Sequence, residues 1–145
     1  MKIKICVVGL GYVGLPLILN LSQKLECVGF DVNENRIKNL KIKKDTNKEF
    51  KFNNFEKKKI IFTSKINEIK NCNFFIVCVP TPITRNKKPD LNNLNLAIKT
   101  ISKVLKKEDI IFIESTIYPG LTEHYQNFLE KKTKLKYDRD FFIGY

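Results

Sequence analysis

The feature that most constrains this chain is Gly9-Leu10-Gly11-Tyr12-Val13-Gly14, a G-x-G-x-x-G motif directly after an apolar run. That run contains Ile3, Ile5, Val7 and Val8, β-branched residues typical of a buried strand. A hydrophobic stretch with the character of a helix follows the third glycine. A strand that passes into a helix through this spacing of glycines is typical of a dinucleotide-binding site, so the sequence predicts such a site here.

Each glycine of the motif meets a different requirement. Gly9 allows a sharp turn out of the strand, and Gly11 allows the backbone to approach a pyrophosphate. Gly14 allows the helix to pack close to the strand. The N-terminus of that helix then offers free N–H groups and the positive end of its dipole to the phosphates.

Asp31 ends the second apolar run, 22 residues after Gly9. A carboxylate at this point can accept hydrogen bonds from the adenosine ribose, and its charge would repel a 2′-phosphate, which favours NAD over NADP. The alternative is that Asp31 caps the following helix, and the two roles are compatible. Arg36, five residues further on, either lies against the ribose or adenine or is a solvated surface arginine.

Apolar runs alternate with helical patterns along the whole chain. We expect strands at 2–8, 26–31, 60–62, 73–79, 109–114 and from 141, and helices at 12–23, 33–42, 65–70, 91–105 and 120–132. Asn33 is expected to open the second helix, and Thr63 or Ser64 to cap the third. Strands that are apolar throughout and separated by helices predict an α/β fold of the Rossmann type. In that fold helices cover both faces of a doubly wound parallel sheet, here in one domain.

In such sheets, ligands bind beyond the carboxyl ends of the strands. Pro80 and Thr81 follow the fourth strand in a rigid turn, which either lines a cofactor cleft or is a plain turn at the edge of the sheet. Ser115 and Thr116 follow the fifth strand. Their hydroxyls could bind a cofactor, order a water molecule or cap the next helix, and the residues alone do not decide among these.

Charge and hydropathy limit the partners. The net charge is +12, but only three of the 27 basic residues are arginines, the lysines are scattered, and the aromatic residues lie largely in apolar runs. This pattern is not typical of a nucleic-acid-binding surface, so we expect no nucleic-acid partner. The positive charge can still help to attract an anionic cofactor or substrate. No apolar run approaches the ~20 residues that span a bilayer, and no secretory signal is present, so we expect no membrane partner and a cytoplasmic location.

The cysteines and the single histidine do not suggest a metal site. Cys6, Cys27 and Cys78 lie within expected strands, where thiols behave as small buried hydrophobic groups, while Cys72 lies between polar residues. They show no C-x-x-C spacing, and we expect His124 to lie on the surface. No nucleophile–base pair or carboxylate pair is evident in the sequence.

Taken together, four segments resemble the N-terminal domain of the UDP-glucose/GDP-mannose dehydrogenase family. They are VVGLGYVGLPL, FDVNENRI, VPTPI followed by PDL, and ESTIYPGLTE with a terminal FFIGY. The resemblance covers nearly the whole chain, with the motifs in the expected order. Glu114, where a lysine would precede Ser115 in the UDP-glucose branch, makes the chain more similar to the N-acetylhexosamine and hexosaminuronate branch.

The resemblance implies a two-step oxidation of the C6 alcohol of a nucleotide sugar to a carboxylate, with two NAD. It places the pyrophosphate against residues 11–13, the adenosine ribose at Asp31 and Arg36, and the rest of the cofactor near Thr81 and Ser115. Thr116 matches a threonine that helps to position a catalytic water. With the residues identified above, the candidate cofactor-binding set is Gly9, Gly11, Tyr12, Val13, Gly14, Asp31, Arg36, Pro80, Thr81 and Ser115.

One loop departs from the family pattern. A G-x-D-x-T-x-E stretch often follows the second helix in the family. Here Lys43 replaces the glycine and Asn47 the threonine, whereas Asp45 and Glu49 are retained. No site residue is assigned to this stretch, which we expect to be part of a polar surface excursion over residues 43–55.

The resemblance also implies a larger protein. Family members are homo-oligomers, and beyond the position of Tyr145 they carry a catalytic glutamate, a central dimer-forming helix and a UDP-sugar-binding domain with the catalytic cysteine. We therefore expect residues 1–145 to be the NAD-binding domain, without the central helix and sugar domain, and to be inactive alone. The alternative is a stand-alone NAD-binding module or a non-catalytic remnant. A dehydrogenase of the β-hydroxyacid type is not supported by the loops after the fourth and fifth strands.

Overall fold

A parallel sheet of six strands forms the centre of the structure. The structure is a computed structural model, and it describes residues 2–47, 60–84 and 86–145. The strand order is β3-β2-β1-β4-β5-β6, so the chain starts in the middle of the sheet and builds outwards in both directions. The predicted Rossmann-type fold is confirmed. The strands are β1 Lys4–Val8, β2 Glu26–Phe30, β3 Ile60–Thr63, β4 Phe74–Val77, β5 Asp109–Ile113 and β6 Phe141–Gly144.

Helices cover the two faces of the sheet unequally. On the first face, α1 (Gly14–Leu21) and α2 (Glu34–Lys41) pack over β1 to β3, with Val7, Ile18 and Leu40 in their shared core. On the second face, a 3-10 helix (Ile66–Ile69), α3 (Asn92–Ile101) and α4 (Leu121–Thr133) pack on side chains such as those of Phe75 and Ile111. We call these the α1 face and the α3 face.

The strand register brings the loops of the site together. Val8, the last residue of β1, is paired with Phe30 at the end of β2 and with Val77 at the end of β4. Val77 is in turn paired with Ile113, which ends β5. Because the four strands end level with one another, the loops that follow them meet at one edge, as the sequence predicts for a parallel sheet.

Two predictions about the helices are corrected by the structure. The segment predicted as a helix at 65–70 is a 3-10 helix of four residues without a side-chain cap, and the hydroxyl of Thr63 accepts instead from the backbone N–H of Lys65 (2.9 Å). The α-helix predicted at 91–105 ends at Ile101. The cap predicted for α2 is present, because Asn33 accepts from the N–H of Arg36 (3.1 Å). The part of the expected surface excursion at 48–55 lies outside the described residues.

The four cysteines are all buried and unpaired, including Cys72, which the sequence left open. Burial raises the pKa of Cys27 to about 11 and also raises the pKa of Cys6, so these two thiols stay protonated at neutral pH. In the described part of the chain, no helix is long and apolar enough to cross a membrane.

Candidate functional site

A cleft lies at the carboxyl edge of the sheet, above the ends of β1 and β4. Its central part, about 210 Å³, is bounded by the glycine turn, Asp31 and the loop after β4. A polar part of about 270 Å³ extends past Asp31 to Arg36, and a third part of about 410 Å³ extends to Thr116. Gly11 borders all three parts, so they form one elongated cleft with the glycine turn at its middle.

Most of the residues predicted from the sequence line this cleft. In chain order they are Gly9, Gly11, Tyr12, Val13, Asp31, Arg36, Pro80, Thr81, Ser115 and Thr116. Gly14 does not border the cleft, because it lies beneath the turn against Gly9. The structure thus brings ten of the eleven candidate residues together at one cleft. The first and last of them, Gly9 and Thr116, are 107 positions apart in the chain.

The three glycines differ in what a side chain at each position would contact. Gly9 has a φ of +93°, and a Cβ there would lie 2.9 Å from the carbonyl oxygen of Cys78. A Cβ on Gly14 would lie 1.9 Å from the carbonyl oxygen of Gly9, which no side chain can tolerate. A Cβ on Gly11 would meet no protein atom within 4 Å. The turn itself therefore needs Gly9 and Gly14, whereas Gly11 leaves free space in the cleft where a pyrophosphate fits.

The N-terminus of α1 faces the middle of the cleft. The helix begins at Gly14, two residues later than predicted, and its N-cap residue Val13 supplies no side-chain hydrogen bond. Its first turn contains no acidic residue. Tyr12 and Val13 are 65% and 54% exposed, so they do not close off this end of the helix. The backbone N–H groups here are accordingly available to an anion, with the helix dipole in the favourable direction.

Asp31 ties the glycine turn to the end of β2. Its Oδ2 accepts from the backbone N–H of Leu10 (2.8 Å), and its Oδ1 accepts from the N–H of Asn33 (2.9 Å). The helix-capping role considered for Asp31 is wrong, because Asn33 caps α2. Asp31 lines the cleft, and each of its carboxylate oxygens can accept a further hydrogen bond, which suits it to accept from ribose hydroxyls.

Arg36 is buried, and its interpretation as a solvated surface arginine is wrong. The side chain is 8% exposed, and Nε donates to the carbonyl oxygen of Leu10 (2.9 Å). Nη1 donates to Oδ1 of Asp45 (2.6 Å) and to Oγ1 of Thr46 (3.1 Å). The guanidinium therefore joins the glycine turn to the segment after α2. The sequence pattern did not predict a contact for Asp45, although the retention of this residue in an otherwise altered motif was a usable indication.

The loops after β4 and β5 are hydrogen-bonded to each other. Ser115 Oγ donates to the carbonyl oxygen of Val79 (2.6 Å), and Thr81 Oγ1 donates to the carbonyl oxygen of Thr116 (3.1 Å). Neither Ser115 nor Thr116 caps α4, because its N-cap residue is Gly120 and no side chain makes a capping hydrogen bond there. Of the roles left open for Ser115 and Thr116, helix capping is thus excluded, and binding a cofactor or ordering a water remain.

Several residues of the cleft escaped the sequence analysis. Cys78 lines the cleft, and burial, with a smaller contribution from Glu114, raises the pKa of its thiol to about 12, so it stays protonated and is no nucleophile at neutral pH. The polar part of the cleft is lined by several asparagine side chains. The helix α3, which begins soon after the loop that follows β4, forms one wall of the central part. These further lining residues are Asn33, Asn35, Asn39, Asn47, Asn93, Leu96, Ala97 and Thr100.

The strand order, the glycine turn over an open space and the carboxylate at the end of β2 define the class of protein as a Rossmann-type dinucleotide-binding domain. The model of the UDP-glucose/GDP-mannose dehydrogenase family, NAD binding domain, matches residues 3–145. The chain belongs to this family. NAD is the cofactor named for the family's domain, and the space at Gly11 together with the exposed end of α1 fits it.

Several similar proteins are dehydrogenases of N-acetylated sugar nucleotides. The chain is 46% identical over 145 residues to UDP-N-acetyl-D-glucosamine 6-dehydrogenase from Pseudomonas aeruginosa, with 99% of this chain and 34% of that protein covered. It is 43% identical to the enzyme of that name from Salmonella typhi. The structure of UDP-D-ManNAc dehydrogenase from Pyrococcus horikoshii has a TM-score of 0.85 at 31% identity and covers 97% of this chain. The chain spans about a third of the length of these relatives.

Proposed function

We propose that this chain is the NAD-binding portion of a nucleotide-sugar 6-dehydrogenase, which oxidises the C6 alcohol of a UDP-linked N-acetylhexosamine to a carboxylate. The observation that carries the proposal is the cleft itself, with Gly11 open at its middle, Asp31 on one side and the paired loops on the other. The names of the relatives supply the substrate class. In these relatives the remaining two-thirds of the polypeptide would bring the central helix and the sugar-binding domain.

We assign the adenosine end of NAD to the polar part of the cleft. Asp31 accepts from the ribose hydroxyls, since each of its oxygens has only one backbone donor. Arg36 acts on the same end through its contacts with Leu10 and Asp45, which hold the turn and the segment after α2 in place. The main role of Arg36 is therefore to hold the residues of the site in position. A direct contact between Arg36 and the ribose is secondary to this role.

We assign the pyrophosphate and the nicotinamide to the middle and far parts of the cleft. The N–H groups of residues 11–13 at the N-terminus of α1 bind the phosphates. NAD, when bound, supplies the chemistry of the reaction by accepting a hydride from the substrate carbon. Pro80, Thr81 and Ser115 form the wall that orients this end, and Thr116, exposed beside them, holds a water in place.

Within this proposal, the 145 residues bind the cofactor but do not complete the oxidation. Burial keeps the thiols of Cys6, Cys27 and Cys78 protonated, so none of these three supplies a nucleophile. A cytoplasmic location is part of the proposal, in keeping with four unpaired cysteines.

Calorimetric titration with NAD and with NADP tests the cofactor assignment. We expect NAD to bind at least about tenfold more tightly than NADP, a difference of roughly 1.4 kcal/mol. Asp31→Ala should weaken NAD and narrow the difference between the two cofactors, because the repulsion of the 2′-phosphate is lost. Glu34→Ala, which removes an exposed carboxylate from the first turn of α2, should leave both affinities unchanged. Absence of NAD binding, or a preference for NADP, would refute the assignment.

A further inference from the structure

Asn47 lies at the junction between the polar part of the cleft and the part that extends to Thr116. Among the described residues, only Gly11 and Asn47 border both of these parts. Gly11 belongs to the turn after β1, whereas Asn47 belongs to the segment after α2, so two separate elements meet at this point. The space over Gly11 is open, and it is where we assign the pyrophosphate of NAD. Asn47 is thus placed beside the phosphates.

A chain of hydrogen bonds fixes the backbone of Asn47 relative to the glycine turn. The backbone N–H of Asn47 donates to Oδ1 of Asp45 (3.1 Å), and the same oxygen accepts from Nη1 of Arg36 (2.6 Å). Nε of Arg36 donates in turn to the carbonyl oxygen of Leu10 (2.9 Å), the residue before Gly11. The side chains of Arg36 and Asp45 are both buried, so this connection is shielded from water. The fold therefore sets the place of Asn47 beside the turn before any ligand binds.

The side-chain amide of Asn47 is available to a ligand. In the part of the chain that the structure describes, this amide has no hydrogen-bond partner, and the residue is partly exposed. Other asparagines of the cleft use their side chains within the protein, since Asn33 caps α2 and Asn93 donates to the carbonyl oxygen of Pro80 (3.3 Å). An amide carries two N–H donors, so Asn47 can donate to a ligand oxygen without giving up a contact of the fold.

The lining of the cleft offers little positive charge to the negative charges of a pyrophosphate. The charged residues that line it, among those described, are Asp31, Arg36 and Glu114. Arg36 is the one cation of the three, and its guanidinium already donates to Asp45 (2.6 Å). Neutral donors must therefore bind the phosphate oxygens. The N-terminus of α1 supplies such donors on one side of the phosphates, and the amide of Asn47 supplies them from the segment after α2.

We propose that Asn47 is a pyrophosphate-binding residue, whose side-chain amide donates to a phosphate oxygen of NAD that the N-terminus of α1 does not reach. The phosphates are then held between α1 and the segment after α2. The inference rests on the proposed function, because it takes NAD to be the occupant of the cleft. It also gives the pair of Arg36 and Asp45 a second role, since this pair sets the place of a residue that contacts the cofactor.

Calorimetric titration with NAD and with adenosine tests this inference, because adenosine lacks the pyrophosphate. Asn47→Ala should weaken NAD binding about tenfold, as expected for a lost hydrogen bond to a charged group, and should change the affinity for adenosine less than about twofold. Asn47→Asp should weaken NAD binding further, because its carboxylate repels the phosphates, and added salt should reduce this extra loss. The matched control is Asn127→Ala, which alters an exposed asparagine of α4 away from the cleft. It should leave both affinities unchanged.

Two results would overturn the inference and leave the cofactor assignment intact. One is NAD binding by Asn47→Ala that is as tight as that of the unaltered chain. The other is an equal loss of affinity for NAD and for adenosine, which would mean that Asn47 only supports the fold around the adenosine end. Failure of the unaltered chain to bind NAD is a different outcome, because it refutes the proposed function and the inference with it.

NMR spectroscopy of the unaltered chain supplies a second test, which needs no variant. The side-chain N–H signals of Asn47 should shift when NAD or ADP is added, since both ligands carry a pyrophosphate, and should stay in place when adenosine is added. Signals that do not respond to NAD, or that respond equally to adenosine, contradict the inference. This measurement serves where the Asn47 variants do not fold.

Discussion

At the scale of single residues, the glycine turn divides into positions required by the fold and one position required by the ligand. Gly11→Ala adds a methyl group that meets no protein atom, so the free energy of unfolding should stay the same or rise by about 0.5 kcal/mol. NAD affinity should fall at least about tenfold, because the methyl group occupies the space of the pyrophosphate. Urea denaturation and calorimetric titration measure the two effects. Undiminished binding would show that the pyrophosphate lies elsewhere.

The matched substitution Gly14→Ala should have the opposite pattern. Its Cβ would lie 1.9 Å from the carbonyl oxygen of Gly9, so α1 must move away from β1. We expect a loss of more than about 2 kcal/mol in the free energy of unfolding, within the range of core overpacking and backbone strain. A variant as stable as the original chain would mean that the turn relaxes easily.

Lys43 occupies a backbone conformation that suits glycine. Its φ is +57°, and it follows the end of α2, where its N–H donates to the carbonyl oxygen of Leu40 (3.0 Å). Lys43→Gly should therefore raise the free energy of unfolding by about 1 kcal/mol, since the left-handed conformation costs other residues ~1–2 kcal/mol. Lys44→Gly is the control, and it should lower stability because Lys44 has no positive φ. Urea denaturation distinguishes the two signs.

At the scale of elements, α2 and the segment after it are joined by a buried ion pair. The side chains of Arg36 and Asp45 are 8% and 1% exposed, whereas those of Lys2 and Glu26 form an ion pair that is mostly exposed. Asp45→Ala should lower the free energy of unfolding by about 3–5 kcal/mol, because it leaves a buried charge unpaired. Glu26→Ala should cost far less, because its ion pair is exposed to solvent. Similar losses for both variants in urea denaturation would contradict this ranking.

The corner between α4 and β6 should make stability depend on pH. Hydrogen bonds from the Arg139 guanidinium (2.8 Å) and the backbone N–H of Lys136 (2.9 Å) hold the pKa of Asp140 well below its usual value of 3.8. A lowered pKa stabilises the fold above pH 3.8, and this contribution is lost as the pH falls further. Asp140→Asn should thus be less stable at pH 7, with a difference that shrinks below about pH 4. A constant difference in thermal unfolding across this range would contradict the assignment.

Some elements of the fold could be predicted from the sequence, and others could not. Apolar runs at strand length and the spacing of the glycines identified the sheet and the turn, since these patterns are local in the chain. The pairing of Arg36 with Asp45 was not predicted, because Asp45 lies beyond α2 and only the folded backbone brings the two side chains together. The 3-10 helix at Ile66–Ile69 was mistaken for an α-helix, because four residues are too few to show a period. The candidate site residues gather at one cleft, and their roles in binding stay predictions.

At the scale of the whole molecule, the chain should bind NAD without turning over substrate. Incubation with NAD and UDP-N-acetyl-D-glucosamine should produce no NADH, because the thiols of Cys6, Cys27 and Cys78 are buried and protonated and these 145 residues span only about a third of the length of the relatives. The absorbance of NADH measures the outcome, with the Pseudomonas aeruginosa relative as the positive control. NADH formed by this chain alone would contradict the proposal that the cofactor half is insufficient.

The central position of β1 has a consequence for how the protein is made. β1 leaves the ribosome first, and it can pair with β2 soon afterwards, but its other neighbour, β4, ends only at Val77. Val77 lies 69 positions after Val8, the last residue of β1, so at typical synthesis rates one edge of β1 remains unpaired for about 3 to 14 s. One edge of the central strand is therefore unpaired early in every round of translation. Nascent chains of this family should need protection by chaperones during this interval, well before the cofactor cleft exists.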